Sequence, residues 1–183
     1  MKKHFTLIIF LVTYSCTIVV YGVSSDYKKV KAAKPEIFIP SKETKSLCTY
    51  AYTDSSRVLV GHAKHIKDCL ANNPRTLVYH WHPRCESAGC YLLSALQDYC
   101  DENNYVLYVY AQYYHYNMSD ERGLRYPMLV IDTEYYKSDK VRLYTKQFKE
   151  DLIGKVLHQY GRIYYFQRDR FVGQYEKLED LPT

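Results

Sequence analysis

The chain has 183 residues, enough for one domain with additional segments. Its formal net charge is +5, and its longest basic cluster is Lys28-Lys29-Val30-Lys31, which reads as a solvated linker rather than a membrane patch; nothing points to a nucleic-acid binder. Tyrosine supplies 22 residues, and a ring with an apolar body and a polar tip suits half-buried sheets and contact surfaces.

The chain opens on a basic head, Met1-Lys2-Lys3-His4, followed by an uncharged run from Phe5 to Val23. This pattern is an export signal. Two readings stay open: a signal peptide cleaved after Gly22 or Ser25, or an uncleaved anchor, since about 20 apolar residues span a bilayer. Lipid modification of Cys16 is a poor third, because Thr13 stands where an aliphatic residue is expected. On each reading residues 1–25 form the signal or anchor, with membrane attachment through residues 5–23 as one outcome. The folded part is expected outside the cytosol, in the periplasm or cell envelope or secreted, where disulfides persist. Five cysteines then remain (Cys48, Cys69, Cys85, Cys90 and Cys100), and an odd number leaves at least one thiol unpaired in the monomer.

Residues 26–56 read as a tether and N-terminal extension, with an extended piece at Glu36–Pro40. Val58–Val60 is a weak strand. Gly61 to Asn73 has Ala63, Ile66 and Leu70 at helical spacing, and Asn72-Asn73-Pro74 stops it. Arg75–Trp81 is a buried strand. A helix is expected from an N-cap near Ser87, with Ala88, Leu92, Ala95 and Tyr99 on one face, widened by Tyr91 and Leu96. Tyr105–Tyr114 alternates as a strand, and Pro127–Asp132 is a short apolar strand. Lys140–Tyr144 is expected as its antiparallel partner. Lys146–Tyr160 is expected as an amphipathic helix stopped by Gly161. Arg162–Phe166 and Arg170–Tyr175 suggest a hairpin in a C-terminal extension, residues 161–183. A helix between strands implies a parallel crossover, so the fold class is α/β, a mixed sheet with helices on both faces.

The stretch Thr76–Cys90, TLVYHWHPRCESAGC, carries the chemistry. A strand delivers two cysteines to the start of a helix, whose N-terminus favours thiolate over thiol. Arg84 and a protonated His82 would add to that effect, and Glu86 would oppose it. A separation of five on an ideal helix sets side chains about 140° apart and about 7.5 Å along the axis. A Cys85–Cys90 bond therefore requires Cys85 in the loop and a later helix start.

These residues resemble the thioredoxin-like family over residues 57–160, in an exported, TlpA-like branch. LVYHWHPRC is similar to the family's strand-Trp-x-x-x-Cys segment, with Trp81 four before Cys85; a cysteine pair opens the next helix; and Arg125-Tyr126-Pro127-Met128 stands where the family keeps a cis-proline facing its cysteines. The resemblance implies thiol–disulfide exchange with protein thiols or disulfides, without a cofactor. Cys85 would attack, Cys90 would resolve, and a cis Tyr126–Pro127 bond would present backbone to the partner. The chain departs from the family in its C-x-x-x-x-C spacing and in Tyr79, which stands where the family keeps a buried acid. Three other readings remain open. Cys85–Cys90 is a structural clip. His80, His82, Cys85 and Cys90 bind copper or zinc, as in Sco-type proteins that add a distant histidine, here His115. The domain is a non-catalytic binding module whose contact surface is the tyrosine-rich strand Tyr105–Tyr116 and the C-terminal Tyr/Arg segment. Cys48 and Cys69 form a second bridge or stay apart, and Cys100 is a packed free thiol.

Overall fold

In the computed structural model the described residues are 23–39, 46–50, 57–83, 85, 89–116, 118, 123–154 and 161–182. In chain order they form α1 (Tyr27–Ala33), β1 (Phe38–Ile39), β2 (Val58–Gly61), α2 (Lys64–Leu70), β3 (Thr76–Trp81), α3 (Leu93–Glu102), β4 (Val106–Ala111), β5 (Leu129–Ile131), α4 (Val141–Ile153), β6 (Ile163–Gln167) and β7 (Arg170–Tyr175). The sheet order is β1-β2-β5-β4-β3-β6-β7. The first five strands in that order run parallel, and β6 and β7 add an antiparallel hairpin against β3. The molecule is thus an α/β protein with a mixed sheet.

The central strands are apolar at nearly every position because both faces are covered. Along β3, Leu77, Tyr79 and Trp81 point into one core with α1 and α3, while Val78 enters the other with α2 and α4. Side chains alternate across a strand, so a single run of residues feeds two cores. Tyrosine fits this role when its hydroxyl finds a partner. Tyr108 accepts a hydrogen bond from Asn73 Nδ2 at 3.2 Å, Tyr110 donates to the Tyr164 hydroxyl at 3.3 Å, and Tyr114 donates to the Ile131 carbonyl at 2.5 Å. Tyr105, Tyr108, Tyr110 and Tyr114 are all buried, so these tyrosines are core and not the contact surface expected of the Tyr105–Tyr116 strand.

Several boundaries differ from the sequence expectation. The expected tether begins as α1: Tyr27 and Val30, one turn apart, are buried with Ile37 and Phe38, and the lysines between them face solvent. The expected helix from Ser87 starts at Leu93, and its buried positions are Leu93, Leu96, Gln97 and Cys100; Leu92 and Ala95, assigned to the buried face, are exposed. Ser87 itself lies outside the described residues. Lys140–Tyr144 is not a strand but the first turn of α4, because Val141, Tyr144, Thr145, Phe148 and Leu152 form one continuous buried stripe. Gly154, at φ 75° and with its N–H bonded to the Glu150 carbonyl at 2.7 Å, ends this helix instead of Gly161. The strands at Val58 and Thr76, the helix at Ile66 and the terminal hairpin stand close to their expected places.

Candidate functional site at the carboxyl end of the parallel strands

Strands β2, β5, β4 and β3 finish together, with Gly61 paired to Ile131, Val130 to Ala111 and Ala111 to Trp81. Open α/β sheets bind ligands outside this end. Past β3 and β4 lies a hollow of about 220 Å³ lined by Val23, Asp26, His82, Pro83, Tyr113, Tyr114 and His115. The His82 ring meets Tyr113 edge-on at 5.0 Å.

Two residues beyond Pro83 comes the disulfide Cys85–Cys90, whose Cα atoms are 5.7 Å apart, inside the span a disulfide requires. Both cysteines are half-buried. Tyr79, buried in β3, anchors their loop: its hydroxyl donates to the Gly89 carbonyl at 3.0 Å and accepts from the Tyr91 N–H at 3.2 Å. From the other side, the Tyr91 hydroxyl accepts from the Leu178 N–H at 3.0 Å. Gly89 is pressed so closely on the same tail that a Cβ there would sit 2.7 Å from the Glu176 carbonyl oxygen. The loop is therefore held between a core strand and the C-terminal segment. Tyr79, a departure from the family pattern in sequence, is a structural tie here; Gly89 and Asp26 carry no sequence signal of their own, and Tyr91, Val23, Tyr113 and Tyr114 stand in the sequence only as parts of a helix face, an uncharged run and a tyrosine-rich strand.

The helix does not reach the cysteines as the sequence suggests. α3 begins three residues after Cys90 and has no side-chain cap. A helix dipole acts strongly only within the first turn, so its support for a thiolate at Cys85 is weaker than expected. Trp81 is buried in the core beneath the site. Arg84 lies outside the described residues.

Pro127 and Tyr126 are displaced from the site. Among the described residues no peptide bond is cis, so the Tyr126–Pro127 bond is trans. Pro127 precedes β5, whereas Cys85 follows β3, two strands away. Two strand spacings amount to about 10 Å laterally. Leu129 pairs with Tyr110, and Tyr110 with His80, so Pro127, two residues before Leu129, stands level with the middle of β4 and β3 rather than with their carboxyl ends. Tyr126 packs on Tyr108 at 5.1 Å, and Tyr108 bonds Asn73, ahead of β3. The expectation fails because a spacing along the chain does not specify which edge the later strand joins.

His80 is buried and lies flat on Tyr110, with centroids 4.8 Å apart, and its Nε2 has no hydrogen-bond partner among the described residues. Burial first, then the positive charges of Lys149 and Arg162, push its pKa well below the usual histidine range, so it is neutral. It faces the core opposite Trp81, against Tyr110. Among the described residues no three or more His, Cys, Asp or Glu side chains gather as a metal site. The expected set His80, His82, Cys85 and Cys90 is therefore not brought together as ligands, and both of its cysteines are spent in the disulfide.

The second bridge, Cys48–Cys69, also has Cα atoms 5.7 Å apart and ties the turn Leu47–Thr49 to α2, with Cys69 wholly buried. Cys100 is a buried free thiol, pushed up to about 12 by burial and the neighbouring Asp101. No helix of the described residues is long and apolar enough to cross a membrane, and residues 5–22 lie outside them.

Fold and site together define a class: an α/β protein with a mixed sheet that carries a clamped disulfide beside a histidine- and tyrosine-lined hollow. No protein-family model, curated protein or solved structure matches the chain.

Proposed function

We propose that this chain is an exported thioredoxin-like protein that exchanges thiols and disulfides through Cys85 and Cys90. The observation that carries this reading is the contrast between the two bridges. Both cysteines of Cys85–Cys90 are half-buried at the carboxyl end of the sheet, whereas in the other bridge Cys48 is half-buried and Cys69 is sealed in the core. Exchange requires attack on an accessible sulfur.

In the reduced form the Cys85 thiolate attacks a partner disulfide, forms a mixed disulfide and releases one partner thiolate. The Cys90 thiolate then attacks the Cys85 sulfur, re-forms Cys85–Cys90 and releases the second partner thiolate. Two electrons pass to the partner, and the chain returns to the oxidised form. With Pro127 trans and two strands over from β3, the hollow beside His82 and Tyr113 is the recess available to a partner segment.

Titration against glutathione with mass-spectrometric readout tests this. Cys85–Cys90 should open in the folded protein while Cys48–Cys69 stays closed, and Cys90→Ser should trap a mixed disulfide on Cys85. A second reading, a structural clip in a non-catalytic module, is favoured by the grip of Tyr79 and Glu176 on the loop. It would show as a Cys85–Cys90 bond that opens only on global unfolding.

A further inference from the structure

Among the described residues five large apolar side chains remain exposed: Val23 (63%), Leu92 (77%), Tyr135 (53%), Leu143 (49%) and Val172 (38%). Scattered singly, such residues need no explanation. Here four of the five occupy one end of the molecule, the end where the parallel strands finish. Val23 borders the hollow, and its carbonyl accepts from the Val141 N–H at 3.1 Å. Leu143 lies in the turn of α4 that this bond starts. Tyr135 follows β5 and stacks at 4.1 Å on His62, which follows β2. Leu92 caps α3 in the crossover out of β3.

The uncharged run of residues 5–22 joins the fold inside this group, at Val23. It joins without slack. Ser24 bridges to Lys140, and Ser25 is fully buried, with its N–H on the Asp139 carbonyl at 3.2 Å and its carbonyl accepting from the Tyr114 N–H at 3.0 Å.

We propose that this end of the molecule is a membrane-docking face, with Val23, Leu92, Tyr135 and Leu143 seated in the headgroup region of a lipid bilayer. With residues 5–22 in a bilayer, the first folded residue is the next one along the chain, which spans at most about 3.6 Å per residue, so this end is drawn against the lipid surface. The residue types fit. Aliphatic side chains leave water, and a tyrosine keeps its hydroxyl at the polar boundary. Exposed Lys137, Lys140 and Arg142 stand among them and can lay their stems on apolar surface while their charges meet lipid phosphates. Asp26, Glu134 and Asp139 share this end, so apolar contact rather than net charge supplies the attraction. The inference does not depend on thiol exchange, although the Cys85–Cys90 loop lies at the same end.

The test uses the full chain reconstituted in vesicles of phosphatidylcholine with phosphatidylglycerol. An environment-sensitive fluorescent amino acid replaces Leu92, Tyr135, Leu143 or Arg168, one at a time. Arg168 is the control: it lies in the β6–β7 turn, bonded to the Pro74 carbonyl at 3.2 Å at the opposite end of the sheet. The replaced side chains are exposed, and circular dichroism checks each fold. Quencher-bearing lipids should dim the probes at 92, 135 and 143 several-fold more than the probe at 168. Equal dimming at all four positions, including none at any, overturns the proposal. Probes at 92 and 143 that respond only to an added protein, and not to lipid, overturn it in favour of a protein partner.

Discussion

At the scale of single residues, Tyr79 and His80 stand side by side in β3 and do opposite things. Tyr79 spends its hydroxyl on the Gly89 carbonyl and the Tyr91 N–H. Tyr79→Phe leaves those two groups without that partner and should cost about 1–3 kcal/mol in urea unfolding, while letting dithiothreitol open Cys85–Cys90 at lower concentration. His80 makes stability depend on pH. Its folded pKa lies well below the unfolded value of about 6.5, so the unfolded chain binds the extra proton. Stability should be full above about pH 6.5 and fall as the pH drops below it. His62 acts in the same direction, through burial and His65. His80→Phe keeps a ring on Tyr110 and should flatten the fall in melting temperature between pH 7 and pH 5. Cys100, raised to about 12, should resist iodoacetamide at pH 8 until the protein unfolds, which alkylation with mass spectrometry reads directly.

At the scale of elements, the helices show how a stripe of buried residues sets both the boundaries and the cost of change. α4 reads Val141, Tyr144, Thr145, Phe148 and Leu152 against the sheet. A window that begins at Lys146 cuts this stripe and leaves a fragment that alternates like a strand. Gly154→Ala tests the true stop. A Cβ there meets nothing within 4 Å, so the cost comes only from holding φ at 75°. It should be about 1 kcal/mol in a denaturant melt, and smaller for Gly154→Asn. In α3 the pair Leu96 and Ala95 distinguishes the observed face from the expected one. Leu96→Ala should lose about 2–5 kcal/mol, whereas Ala95→Ser on the exposed side should change stability by less than about 0.5 kcal/mol.

At the scale of the whole molecule, two cores share one sheet, and the two disulfides differ in what they hold. Cys48–Cys69 ties α2 to a turn ahead of β2, across 21 residues. Replacing both cysteines by Ala should lower stability by about 2–4 kcal/mol in thermal or urea melts. The sequence by itself determined the class of fold: runs such as Leu77–Trp81 and Leu107–Ala111 are apolar on both faces, which only a covered, mainly parallel sheet allows. It also determined the terminal hairpin and the strand-then-cysteines order, because hydrophobic period and chain neighbourhood are local properties. Only the tertiary structure decided that β5 enters the sheet between β2 and β4, which sets Pro127 two strands away from β3, the strand that leads to Cys85. It decided too that Tyr79 and the C-terminal tail close on the disulfide loop, and that Val23 and Asp26 wall the hollow with His82 and Tyr113. The reason is common to all three. Strand order and cross-chain contact depend on which surfaces bury most when many segments meet, and no spacing along one segment records that outcome.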